Sequence, residues 1–84
     1  MNGLIITNEL VEKFGLFLRL EEKSAGTIEK YTRDVKKLSI YSCSRAATKE
    51  TVIAYKESLM SRYAVRTVNS VIASLNSFFV INGG

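Results

Sequence analysis

The 84-residue chain has no histidine, a single cysteine (Cys43), and no glycine-rich stretch beyond its final pair of glycines. Without histidine, acid–base chemistry by imidazole is excluded. One cysteine rules out a disulfide within the chain and a zinc site built from Cys and His. Isolated glycines do not make a phosphate-cradling loop. No apolar run exceeds four residues, so no segment reads as a membrane span and no membrane partner is expected. The opening MNGLII lacks the basic start and the length of a secretory signal, and a cytoplasmic location is the expectation. The eight acidic residues show no spacing that converges two carboxylates on a substrate: Glu21 and Glu22 diverge around a helix, and Glu9 and Glu12 flank a helix start. No cofactor or metal is expected, and the chain reads as non-catalytic on its own.

What is present suits one small domain. Hydrophobic residues are 46% of the chain, enough for a single core that removes roughly two-thirds of the unfolded surface from water. The net charge of +4 and a pI near 9.4 permit a polyanionic partner.

The stretch from Ser24 to Leu38, SAGTIEKYTRDVKKL, organises the rest. Ile28, Tyr31, Val35 and Leu38 recur at spacings of three and four, which predicts a helix with these residues turned to the core. Lys30, Arg33 and Lys37 recur in the same way, displaced around the helix, with Lys36 beside them. They form a positive ridge facing either water or an anion. Ser24 is suited to cap this helix, which is expected over about 25–40.

Three further helices are predicted around it. The first, about 9–22, takes Thr7 or Asn8 as its cap and turns Leu10, Phe14, Phe17 and Leu18 inward, with Val11 at the edge of the stripe. Gly15 inside it costs about 1 kcal/mol relative to alanine, which is tolerable where another helix approaches closely. Residues 1–6 are expected to lie as an arm on the bundle rather than to form a short edge strand. YSCSRAA, from Tyr41 to Ala47, reads as a loop with Cys43 a passive thiol. The third helix, about 49–62, is capped by Thr48 and buries Val52, Tyr55, Leu59 and either Met60 or Tyr63. After a tight connection the fourth, about 66–81, buries Val68, Val71, Ile72, Leu75, Phe78 and Phe79.

The other side of the fourth helix carries Arg66, Asn69, Ser70, Ala73, Ser74 and Ser77, small or amide residues apart from Arg66. A solvated face favours Lys, Glu, Gln and Arg, which are better helix formers. Small residues admit the close approach of something, either DNA or another protein segment.

Thr27-x-x-x-Tyr31-x-x-Asp34-Val35-x-x-Leu38, followed by Thr67-x-Asn69 and Leu75-x-x-Phe78-Phe79, resembles the N-terminal SAM-like, core-binding domain of phage integrases and other tyrosine recombinases. The resemblance runs from about Glu9 to Ile81. It implies an all-α, compact four-helix SAM-like orthogonal bundle that clamps double-stranded DNA of a recombination site through its second and fourth helices. The catalytic half would be a separate C-terminal domain. Other recombinase protomers assembled on the DNA would be further partners, and the parent protein would belong to a phage or another mobile element. The resemblance assigns phosphate contacts to Lys30, Arg33 and Lys37, with Lys36 and Thr27 beside them. Arg66, Asn69 and Ser70 would approach the duplex near the start of the fourth helix, with Ser74 and Ser77 further along. Two other readings are a helical protein-interaction module and a helix-turn-helix regulator built from the third and fourth helices.

Overall fold

The computed structural model describes residues 3–43 and 45–82, so expectations resting on Met1, Asn2, Ser44, Gly83 and Gly84 lie outside the described residues. Four helices form the expected all-α bundle: α1 (Asn8–Leu20), α2 (Ala25–Tyr41), α3 (Lys49–Met60) and α4 (Val65–Ile81). Each boundary falls within two residues of its predicted place.

The ends follow from local chemistry. The side chains of Thr7, Ser24 and Thr48 accept from the backbone N–H groups of Leu10, Thr27 and Thr51 at 3.1, 3.2 and 3.2 Å. These bonds satisfy donors that a helix start leaves without partners. At α3 the Thr51 hydroxyl also accepts from the Thr48 N–H at 3.1 Å, closing a reciprocal cap. The chain leaves α1 through Glu22 in the left-handed region, φ 59°. Its N–H donates to the Arg19 carbonyl at 2.9 Å and the Lys23 N–H to the Leu18 carbonyl at 3.1 Å, the Schellman arrangement.

The arm before α1 is held by an antiparallel bridge: the Leu4 N–H donates to the Ala47 carbonyl at 3.0 Å and the Ala47 N–H to the Leu4 carbonyl at 2.8 Å. Ile6 is buried beyond it, and the Ser39 hydroxyl donates to the Ile6 carbonyl at 3.3 Å. Gly3 is required for this approach, since a Cβ there would stand 2.5 Å from the Ala46 Cβ.

The core is formed by Phe14, Leu18, Val35, Leu38, Val68, Leu75, Phe78 and their neighbours. Phe14 and Phe78 meet edge to face with centroids 5.4 Å apart, tying α1 to α4. The expected faces are corrected at several positions. Val11 is buried while Leu10 is half-buried and Phe17 exposed, because the inward stripe of α1 runs through Val11, Phe14 and Leu18. Neither Met60 nor Tyr63 extends the buried face of α3. Met60 follows Leu59 around the helix, out of the stripe, and Tyr63 lies beyond the helix end; both are exposed. Tyr31 is half-buried, its ring stacked 6.4 Å from that of Phe14. Gly15 faces α2, where a Cβ would stand 3.6 Å from the Thr32 Cγ2 and 4.0 Å from the Ile28 Cγ2, so the two helices approach closely there. α2 packs against each of the other three helices.

Candidate nucleic-acid interface

One groove of about 800 Å³ opens between α2, the end of α3 and the start of α4. Its α2 wall carries Lys30, Arg33 and Lys37, and its opposite wall carries Arg62, Arg66, Thr67 and Ser70. Ile40, Tyr41, Tyr55, Leu59, Tyr63 and Val71 supply its apolar surface. Helical spacing builds the α2 wall, where Arg33 and Lys37 are one turn apart. On the other side, Arg62 lies in the short turn that joins α3 to α4, and Arg66 in the first turn of α4.

The charges in this groove are not equivalent. Lys30 Nζ is paired with Asp34 Oδ2 at 2.7 Å and also donates to the Ser70 carbonyl and the Ser74 hydroxyl, each at 3.2 Å. The same Asp34 oxygen accepts from the Ser74 hydroxyl at 2.9 Å. This network bridges α2 and α4 and neutralises both a buried carboxylate and the lysine. By contrast, Arg33, Lys37, Arg62 and Arg66 are exposed and belong to neither ion pair found among the described residues. Those four cations give the groove its field, strengthened by its low-dielectric walls.

Tyr55 is buried at the groove with its ring 4.9 Å from that of Tyr41. Burial pushes its phenol above the usual value of 10.0, and the negative charge of Asp34 acts in the same direction. Tyr41 and Tyr63 are 43% and 49% exposed, leaving ring surface open to solvent.

The ten residues singled out from sequence therefore separate. Lys30, Arg33, Lys37, Arg66 and Ser70 share the groove. Ser74 is fully buried, which corrects its placement on an outer face: it packs toward α2 and donates to Asp34. The small residues Ser70 and Ser74 thus admit α2, a segment of the same chain. Lys36 points to the other side of α2, lining a smaller cleft with Asn8, Val11, Glu12, Gly15 and Thr32, because it lies about a third of a turn from Lys37. Thr27 sits in the first turn of α2, its hydroxyl accepting from that of Ser24 at 2.9 Å. Asn69 is exposed and Ser77 half-buried on α4; neither lines the groove. Arg62, Tyr63 and Thr67 complete the groove although the sequence reading gave them no part in binding. No spacing in the sequence marks Arg62 and Tyr63, because they lie in the turn between α3 and α4.

The chain is similar to a tyrosine recombinase. Over 80 residues, 94% of the chain, it is 31% identical to tyrosine recombinase XerA of Pyrococcus horikoshii. The matched stretch spans 27% of that protein's length. The similarity supports a relationship to the tyrosine recombinase family. No family model and no solved structure matches. Among the described residues no helix is long and apolar enough to cross a membrane, and no cluster of metal-ligating side chains occurs.

Proposed function

We propose that the chain is the core-binding, SAM-like domain of a site-specific tyrosine recombinase and that it grips duplex DNA along the groove between α2 and α4. The observation that carries this reading is the convergence of Arg33, Lys37, Arg62 and Arg66, cations without an ion-pair partner among the described residues, on one groove. Two walls of positive charge facing each other suit a phosphate backbone, which supplies most of the affinity in non-specific DNA binding. The kinship with a recombinase supports duplex DNA as the polyanion. Strand cleavage would belong to a catalytic domain of the parent protein, which calls for residues such as histidine that these 84 residues lack. Other protomers would assemble on the same DNA. Because α2 contributes half of the four cations, a helix-turn-helix of α3 and α4 alone accounts for less of the groove.

The test is a titration of the labelled domain with a generic duplex of about twenty base pairs, followed by NMR at low and moderate salt. Resonance shifts should cluster on Arg33, Lys37, Arg62 and Arg66. If about four phosphates are neutralised, a fourfold rise in salt weakens binding on the order of a hundredfold. No shifts at low salt would overturn the reading.

A further inference from the structure

The groove has more than a cationic rim. Tyr41, Tyr55, Tyr63, Ile40, Leu59 and Val71 give it an apolar and largely aromatic surface, and its volume is about 800 Å³. A DNA duplex held by its backbone presents hydrated phosphates and sugars while its bases stay stacked inside. It engages the rim and leaves exposed rings without a flat partner. An unpaired base has such a face, and stacking on aromatic side chains between basic residues is how proteins hold single strands without reading sequence.

We infer that the groove takes a single-stranded segment of DNA, an unpaired base stacking on the exposed ring of Tyr63 or Tyr41 while Arg33, Lys37, Arg62 and Arg66 hold the flanking phosphates. The inference rests on the DNA reading above: the cations that grip a duplex backbone also serve, in a second mode, to hold the phosphates of an unpaired strand that enters the groove in its place. Tyr63 is suited to the role because it lies beyond α3, is half-exposed, and has the Arg62 guanidinium carbon 5.9 Å from its ring centroid. That pairing places a cation over the ring, so that the base and the guanidinium share the aromatic surface. Tyr41 is backed by the buried ring of Tyr55, which fixes its position.

The chain has four tyrosines and no tryptophan, so its intrinsic emission reports on tyrosine alone. The whole chain is titrated with oligothymidylate of about twelve nucleotides, within the site sizes usual for single strands, and in parallel with a duplex. Binding of oligothymidylate should quench tyrosine emission. Tyr63→Leu should weaken that binding about fivefold or more, whereas Tyr63→Phe keeps it. Circular dichroism verifies that both variants fold. Tyr41→Leu provides a second, independent loss. Duplex binding without quenching by oligothymidylate, or full affinity in Tyr63→Leu and Tyr41→Leu, overturns this inference and leaves the duplex reading standing. Equal quenching by an oligoglutamate of matched charge also overturns it, since the groove would then respond to charge alone. Binding of neither DNA form overturns the DNA reading itself.

Discussion

The Ser74 hydroxyl on α4 donates to the Asp34 carboxylate on α2 across 2.9 Å, inside an interface where Ser74 is fully buried and Asp34 nearly so. The bond, between residues 40 apart in sequence, gives the two helices one defined register. Ser74→Ala removes it and leaves Asp34 with Lys30, so it should cost about 1 kcal/mol. Asp34→Ala strands both partners. The lysine is one-third exposed and turns to water, which holds the expected cost to about 2 kcal/mol, below that of breaking a fully buried pair. Urea unfolding monitored by circular dichroism measures both, and equal stability of all three proteins would show that the network does not hold α4 on α2.

Lys30 and Arg33 both line the groove, yet only Arg33 is free of an ion pair among the described residues. Replacing Arg33 or Arg66 with alanine should lower the slope of log K against log salt for duplex binding by about one each. Lys30→Met should lower that slope by less than either, because the lysine is held by Asp34 and not by a phosphate, although its loss leaves the Asp34 charge unopposed in the groove. A slope lowered as far as by Arg33→Ala would mean that the lysine leaves Asp34 for a phosphate.

Two backbone positions are predicted to accept stabilising changes. Gly15 lies inside α1, and a methyl group there meets Thr32 at ordinary van der Waals distance, so Gly15→Ala should add about 0.5–1 kcal/mol through helix propensity. Glu22 holds a positive φ that glycine adopts without penalty, and Glu22→Gly should add about 1 kcal/mol. Thermal unfolding checks each, and a lowered midpoint for Gly15→Ala would show that α1 and α2 pack more tightly than this spacing.

Alkaline pH should destabilise the fold through Tyr55. Its phenol titrates above 10.0 in the folded chain, through burial first and the Asp34 charge second, and at the ordinary value once unfolded. The native state then holds its proton more tightly. The corresponding stability is fully present below about pH 10 and is lost as pH rises through the folded value. Tyr55→Phe should flatten that alkaline decline, and should remove a late-ionising phenol from an ultraviolet titration.

The helices were legible because their signals are local. Thr7, Ser24 and Thr48 each sit where a cap belongs, and apolar spacing marks α2 and α4 without help from tertiary structure. Facing was harder. Phe17 looked like core because it lies a turn from Phe14, but the direction of the stripe is set by which side of α1 meets α2. The site was legible in part for the same reason. Arg33 and Lys37 share a helical face that spacing reveals, whereas Ser74 is turned inward by Asp34, a partner 40 residues away. Arg62 and Tyr63 join the groove only through the turn between α3 and α4, and no periodicity carries across it.

The helix starts also differ in how firmly they are held. α1, α2 and α3 begin on side-chain caps, while α4 begins at Ala64, which provides none. Its first-turn amides, beside Arg66 and Thr67, should therefore open more readily than those of α2, which packs against all three other helices. The groove thus joins a firm wall to a compliant one. Small movements of the α4 leading edge would adjust its width without disturbing the core, so a polyanion of irregular shape could be accommodated by local opening of a single turn.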